Sequence, residues 1–365
     1  MKKNKISILV SNDITTDQRM YRICQTLYNC GFEIEIAGRK LQNSSQLNFE
    51  SYKQIRHNLL FVKGPLFYLE LNIRHFLFLL KSKPQAAYSV DADTALSAYF
   101  YCKIANSKLI YDSHELFSEV PELENRYLVK NIWKFIEKLI INNSDLRITV
   151  SQSIAKYYEK LYNHKFYVIR NVPLKKEKSK SEIHEKYIIY QGALNKGRCI
   201  EKLIQAVENI DIKVKIAGDG DLNNNLRKLA KKLKVEEKVE FLGKLNPHSL
   251  QLITNNAWLG FNMLENCSLS YYYSLSNKTF DYLQAQIPQL ISGFPEYVSL
   301  NEEYKFGLII ENNLSTIAKT IELLLSDQKL YEQLKIGAEE ASKNLIWENE
   351  EYKLTEIVKN LFKNN

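Results

Sequence analysis

Short apolar runs alternate with amphipathic stretches along most of the chain, the pattern of sheets assembled from strand-helix-strand units. Near the start, "KISILVS" is apolar and β-branched, "TDQRMYRICQTLYNCG" repeats its apolar positions at helical spacing and stops at Gly31, and "FEIEIAGR" alternates. These predict strand, helix, strand. "LLFVKG", "AAYSVD", "KLIYDSH" and "LRITVS" predict further short strands, each followed by polar residues or a helix-like run. Connections of that kind suit a mainly parallel sheet.

Between "VIRNVP" and "YIIYQG" the pattern lapses into "LKKEKSKSEIHEK", which has too little apolar content to join a core and reads as a linker. A boundary there gives a first domain of residues 1–172 and a second of 173–346. The alternation then restarts with "YIIYQGAL", "IEKLIQAVENI", "KVKIAGDG", "NNNLRKLAKKL", "VEFLG", "LGFNML", "NKTFDYLQAQ", "PQLIS" and "FGLIIE", a second doubly wound sheet. The last segment, 347–365, is an amphipathic helix with no strand after it, and it is expected to pack back across the first domain. A chain of 365 residues with 45% apolar content can build two such cores.

Within the second domain, Gly218-Asp219-Gly220-Asp221 lies between a strand and a helix, where glycines let a pyrophosphate approach helix N–H groups. The dinucleotide fingerprint needs a third glycine where this chain has Asn223, and two carboxylates in the loop would repel a phosphate. The turn therefore marks an α/β unit, and an NAD-dependent oxidoreductase is the weakest of the readings.

Charge adds an asymmetry. The net +8 sits wholly in residues 1–171, which hold 24 Lys and Arg against 16 Asp and Glu, whereas the remainder balances at 26 against 26. A basic first half suits a nucleic acid, an anionic membrane or a phosphorylated ligand, and it is equally the signature of a solvated basic face. No RNA- or DNA-binding motif accompanies it, so no nucleic-acid partner is expected. Five cysteines lie scattered without metal-ligand spacing, and no secretory leader pattern is present. The expectation is a reduced, cytoplasmic chain with no metal site. "FYLELNIRHFLFLL" is interrupted by Glu70, Arg74 and His75, so it is not expected to span a bilayer.

Three segments of the second domain resemble one family in order and spacing. "YQGALNKGRCIEKLIQAV" is similar to a strand-loop-helix of the form G-R-L-x-x-x-K-G-x-x-x-L-I-x-A; "IAGDGDLNNNLRKLAKKLKVEEKVEFLGKLNPHSL" and "SLSNKTFDYLQAQIPQLIS" follow the family's next two blocks. The family is the GT-B glycosyltransferases, specifically the large retaining group that uses nucleotide-sugar donors (family 4). The resemblance implies an α/β fold of two Rossmann-like doubly wound domains facing a central cleft, the second binding the donor. It also implies that the Gly-Asp-Gly turn shapes the donor cleft and that phosphates are held elsewhere.

A diphosphate leaving group needs cations and N–H donors, and the alignment offers Arg198, in place of the family's lysine, and Lys278 at the start of the helix near Asn277. Asp281, three residues on and on the same helical face, falls at the ribose-binding carboxylate. Leu245 falls where the family packs on the base. Each has a plainer alternative: a surface cation, a first-turn acid, a core leucine. The family often carries two glutamates separated by seven residues; counting back from Asp281 reaches Tyr273, and the nearest preceding glutamate is Glu265. Glu265 is therefore the expected sugar-contacting acid, with "SLSYYYSLS" an inserted loop. Ala193 replaces a common arginine, and Lys196 is its substitute.

In the first domain "VSNDITTDQRM" stands in for a glycine-rich loop, so Asn12 and Asp13 are expected to face the cleft with side chains. "SVDADTALSAY" and "YDSHELFSEVPEL" look like segments of a subgroup common in cell-surface polysaccharide pathways, and they nominate Asp93, His114 and Glu115 as acceptor-side residues. The resemblance implies a metal-independent hexosyltransferase without cofactors, moving a sugar from a UDP- or GDP-sugar to a hydroxyl of a sugar or lipid-linked sugar, with retention, in surface polysaccharide or glycolipid synthesis. Arg198, Lys278 and His114 would be catalytic. A nucleotide-sugar epimerase of the same fold and a non-catalytic sugar-nucleotide or glycan-binding protein are the alternatives. "LFYLELNIRHFLFLLKSK", with Phe67, Tyr68, Leu71, Phe76, Phe78, Leu79 and Leu80 beside Arg74, His75, Lys81 and Lys83, suggests either peripheral attachment to the inner face of the cytoplasmic membrane or a helix half buried in its own domain.

Overall fold

The computed structural model describes residues 3–47, 50–175 and 185–363. The chain divides into two compact units, Met1–Asn171 with Glu348–Asn365, and Val172–Trp347. Most of the charged linker (176–184) lies outside the described residues.

The first unit is a seven-stranded parallel sheet: β1 (Lys5–Leu9), β2 (Glu33–Arg39), β3 (Lys53–His57), β4 (Ala86–Val90), β5 (Lys108–Ser113), β6 (Leu146–Thr149) and β7 (Tyr167–Val168), in the order β3-β2-β1-β4-β5-β6-β7. Ile6 on β1 sits opposite Ile34 on β2 and Ala86 on β4, and Ile6, Ile8 and Leu9 are fully buried because helices cover both faces. The first helix, Gln18–Asn29, starts where the Asp17 carboxylate accepts the Met20 N–H, and the chain leaves it through Gly31 at φ 94. The last helix, Trp347–Lys363, belongs to this unit; Glu350 accepts the Arg170 N–H at 3.1 Å, and Phe362 meets Phe32 at 5.4 Å between ring centres.

One predicted strand is absent. "LLFVKG" is a loop running into Gly64 and the helix Pro65–Ser82, and the edge strand is instead the polar "KQIRH" of β3. An edge strand pairs on one side only, and β3 is exposed at Lys53 and half-buried from Gln54 onward, so polar side chains suffice for it.

The second unit is a six-stranded parallel sheet: β8 (Tyr187–Gln191), β9 (Lys213–Ala217), β10 (Val239–Gly243), β11 (Leu259–Asn262), β12 (Gln289–Ser292) and β13 (Gly307–Ile310), in the order β10-β9-β8-β11-β12-β13. Winding reverses between β1 and β4 in the first unit and between β8 and β11 in the second, and open α/β sheets hold ligands beyond the strand ends at such points.

The Gly-Asp-Gly turn after β9 has a mechanical role. A Cβ on Gly218 would lie 1.8 Å from the Gly192 carbonyl oxygen, and one on Gly220 would lie 2.7 Å from the Leu194 nitrogen. Backbone therefore packs on backbone: Leu194 N–H donates to Asp219 O at 3.0 Å, and Leu222 N–H to Leu194 O at 2.9 Å. The Asp219 carboxylate is consumed locally by the Gly220 N–H and the Asn223 amide. The turn braces the loop that follows β8.

Candidate functional site

That braced loop, Gly192–Cys199, leaves the central strand of the second unit at the point of reversal. Beside it starts the helix Asn277–Gln284, whose first turn has no side-chain cap: the Ser276 hydroxyl donates instead to Asn262 at 2.9 Å, and the Tyr297 hydroxyl accepts the Ser276 N–H. Helix N–H groups and their dipole at this end favour an anion.

Two cations converge here. Lys278 is only 6% exposed, its Nζ has no hydrogen-bond partner, and it lies 4.6 Å from the centre of the Tyr190 ring. Burial, reinforced by the neighbouring Arg198 guanidinium, pushes its pKa down to about 7. Arg198 stacks 4.6 Å over the Tyr271 ring, and its Nε is buried without a partner. Gly197, at φ 83, permits this: a Cβ there would come within 3.2 Å of the same Tyr271 ring. Leaving a buried ammonium and a buried guanidinium nitrogen short of acceptors is costly, and the arrangement suits a polyanion that supplies them.

Carboxylates frame the cations. Asp281, one helical turn beyond Lys278, accepts from the Gln191 amide at 2.7 Å, and Gln191 in turn accepts from Thr254 Oγ1 at 2.7 Å. Its half-buried carboxylate is thereby fixed in orientation. Glu265 follows β11; its N–H bonds Gly197 O at 2.9 Å and its carboxylate pairs with Lys202 at 3.2 Å. Lys202 also reaches Asn312, so Glu265 is tied to the segment that follows β13. Asn277 and Lys196 are exposed at the same end of the sheet. Leu245 is half-buried and packs on a cluster containing Ile189, Ala217 and Tyr282. Ala193 leaves its carbonyl to the Tyr190 hydroxyl, at 2.6 Å.

In the first unit a separate polar cluster fills the reversal point between β1 and β4. Asp112, fully buried, forms an ion pair with Arg19 at 3.0 Å and accepts from the Tyr88 hydroxyl at 2.7 Å. His114 Nε2 lies 3.0 Å from Arg19 Nε and 3.2 Å from Asp112 Oδ2; one ring nitrogen cannot accept from the first and donate to the second at once. Burial works to lower the His114 pKa, but the Asp112 carboxylate beside it raises it, which favours the protonated ring donating to Asp112. Asp91, at φ 54, accepts the His114 backbone N–H at 2.8 Å. Burial raises the Asp91 carboxyl to about 8 and Asp93 to about 6, and Asp93 Oδ1 is buried without a partner.

The other first-unit residues are placed differently. Asp13 is drawn into its own loop: its carboxylate accepts from the Thr15 N–H and the Ser44 hydroxyl and faces Arg56 at 3.7 Å. Asn12 is exposed and donates to Asp17, and Glu115 is exposed next to His114. Sequence reasoning missed Tyr190, Gln191, Tyr271, Arg19 and Asp112. Arg19 carried a signal, since it occupies the apolar stripe of its helix with Ile23 and Leu27, where an arginine needs a buried partner.

Among the described residues no group of three His, Cys, Asp or Glu side chains is placed to hold a metal ion. Residues 171–341 match the family model described as Glycosyl transferases group 1. No curated protein matches the sequence. Among solved structures, sucrose-phosphate synthase from Thermosynechococcus elongatus superposes at a TM-score of 0.84 with 15% identity over 100% of both chains. Anabaena HepE in complex with UDP and glucose gives 0.77 with 12% identity, covering 98% of this chain and 100% of that one. A putative UDP-N-acetylglucosamine 2-epimerase from Listeria monocytogenes gives 0.69 with 12% identity over 100% and 98%.

Proposed function

The chain has the GT-B fold and carries a Glycosyl transferases group 1 domain, and from that premise we propose that it is a retaining, metal-independent glycosyltransferase whose second unit holds a UDP- or GDP-sugar. The observation that carries this reading is the pair of cations, buried Lys278 and half-buried Arg198, each with a buried, unpartnered nitrogen beside an uncapped helix start. They fit a diphosphate. As the bond from sugar to diphosphate lengthens, negative charge grows on the leaving phosphate, and preorganised cations stabilise that charge more than they stabilise the bound ground state.

Asp281 is suited to accept from ribose hydroxyls with its remaining lone pairs, since Gln191 already fixes one oxygen. Glu265 is suited to accept from hydroxyls of the transferred sugar. The leaving phosphate itself can take the proton of the attacking hydroxyl on the face it departs from, so no protein nucleophile is required and configuration is kept. Asp91, Asp93 and His114 are proposed to bind the acceptor, a sugar or lipid-linked sugar of surface polysaccharide or glycolipid synthesis. A carboxyl held protonated near neutral pH, like Asp91, can donate to an acceptor oxygen as well as accept.

Slow transfer to water makes the test independent of acceptor identity. UDP- and GDP-sugars are incubated with the protein and with Lys278→Ala or Arg198→Ala, and the released nucleotide and the first-formed anomer are followed by NMR. Release of the retained anomer, undiminished by EDTA and lost in both variants, is expected. Conversion of the donor to an epimer, inversion, or a strict manganese requirement would reject the proposal.

A further inference from the structure

The loop that sequence patterning assigns to a strand presents an apolar surface to solvent. Leu60 and Val62 are 82% and 71% exposed, and Phe61 between them is 42% exposed. The loop is nevertheless anchored: Glu70 accepts the N–H groups of Leu60 and Phe61 at 2.8 and 3.0 Å, and Arg74 holds the same carboxylate at 2.7 Å. Three apolar residues are thus fixed pointing away from any core. A local choice that contradicts burial usually marks a functional surface.

The helix that follows continues the same surface. Of the seven aromatic and aliphatic residues that sequence reasoning favoured as interfacial, Phe67, Leu71 and Leu79 are buried in the unit, Tyr68, Phe76 and Phe78 are half-buried, and Leu80 is exposed. The outward stripe is Leu66, Leu69, Ile73 and Leu77, each at least half exposed and spaced by three, four and four residues. A helix apolar on all sides is ordinarily enclosed. Its neighbours extend the face: the helix Ala95–Ala105 packs against it and exposes Phe100 and Ile104, and the helix Tyr127–Asn143, which packs on that one, exposes Leu128, Ile132 and Phe135. The outer two helices also meet directly where Tyr68 touches Trp133, 4.9 Å between ring centres.

Charge identifies what covers this face. The three helices contain Arg74, Lys81, Lys103, Lys130, Lys134 and Lys138 but only two acids, Glu70 and Glu137, although Lys130 and Lys134 pair with Glu119 from the preceding turn, at 2.6 and 2.8 Å. Glu70 is engaged by the loop and Arg74, while Glu137 is buried and accepts from the Tyr158 hydroxyl. Lys63 at the loop, Lys81 and Lys83 at the far end of the first helix, and Lys103 are all exposed, so an apolar stripe is bordered by cations with no exposed anion on the helices. A second copy of the same face would bring like charges together. We propose that this face of the first unit docks on an anionic lipid bilayer, with the Leu60–Val62 loop entering the interface and the helix Pro65–Ser82 lying along it. None of these residues belongs to the donor site, so the inference stands or falls separately from the proposed transfer reaction.

The test is cosedimentation of the full chain with phosphatidylcholine vesicles with and without phosphatidylglycerol, across a salt series. Binding is expected only with the anionic lipid, and it weakens as salt rises because exposed charges are screened within about 8 Å at physiological ionic strength. A Leu69→Asp, Leu77→Asp variant is expected to partition about a hundredfold more weakly or worse, since two leucines no longer leave water. Lys63→Glu with Lys81→Glu leaves the apolar stripe intact and is expected to abolish the anionic preference, with thermal unfolding confirming that both variants are folded. Equal binding to neutral and anionic vesicles, no binding to either, or a dimer in light scattering that the leucine variant dissociates would overturn the proposal.

Discussion

Replacing Lys278 with methionine separates what the donor site costs from what it does. In the ligand-free protein this ammonium is 6% exposed and lacks a hydrogen-bond acceptor, and burial followed by Arg198 lowers its pKa from 10.5 to about 7. At 1.36 kcal/mol per unit the shift is worth about 5 kcal/mol against folding. The sign follows from proton linkage. Between pH 7 and 10.5 the unfolded chain binds the proton that the folded one has released, so the penalty is complete below pH 7 and disappears as pH rises through 10.5. Methionine keeps the apolar stem against Tyr190 and removes the charge. Lys278→Met is therefore expected to raise the melting temperature at pH 7, by roughly 5–10 °C if half of the penalty is recovered, at about 2–4 °C per kcal/mol. The gain should shrink when the melts are repeated at pH 9 to 10, where wild type has already lost the proton. The same variant should lose affinity for UDP or GDP. A melting temperature unchanged or lowered at pH 7, or a gain that does not depend on pH, would refute the assignment of Lys278 as an uncompensated buried cation.

Three other outcomes are expected. Arg198→Ala should lower turnover by roughly a hundredfold, about 3 kcal/mol, and Arg198→Lys should recover only part of it because a lysine cannot keep the planar stack on Tyr271; steady-state kinetics would show this. Binding of a nucleoside diphosphate above pH 7 should take up a proton, because an anion restores the charged form of Lys278, and calorimetry in buffers of different ionisation heat would detect the uptake. Asp112→Asn should destabilise the protein by about 3–5 kcal/mol, since it strands the Arg19 guanidinium in the interior, and denaturant unfolding would measure it.

The apolar runs revealed nearly every strand, because a strand covered on both faces has to be apolar almost throughout. "LLFVKG" failed for the complementary reason: its residues are apolar for a surface, and the true edge strand "KQIRH" is polar because it pairs on one side only. At the candidate donor site the family pattern led to Arg198, Lys278 and Asp281, which the fold gathers at one end of the second sheet. Tyr190 and Tyr271, the rings beneath the two cations, were not legible, since a stack between residues 73 or 88 apart in sequence leaves no local trace. Asp13 shows the reverse. Its position after β1 suggested a ligand contact, whereas a two-residue step to the Thr15 N–H makes it a loop-closing residue. The Asp112–Arg19 pair joins residues 93 apart, and only the folded sheet brings them together.

The central claim is that the second unit grips a nucleotide through its diphosphate. Calorimetric titration of uridine, UMP and UDP, with the guanosine series beside it, tests this directly in wild type and in the Lys278→Met, Arg198→Ala double variant. The account predicts that affinity rises steeply with the second phosphate in at least one series, and that the double variant, still folded by thermal unfolding, binds the diphosphate no better than the nucleoside. Equal affinity for nucleoside and diphosphate in wild type, or a double variant that keeps wild-type affinity for the diphosphate, would contradict it.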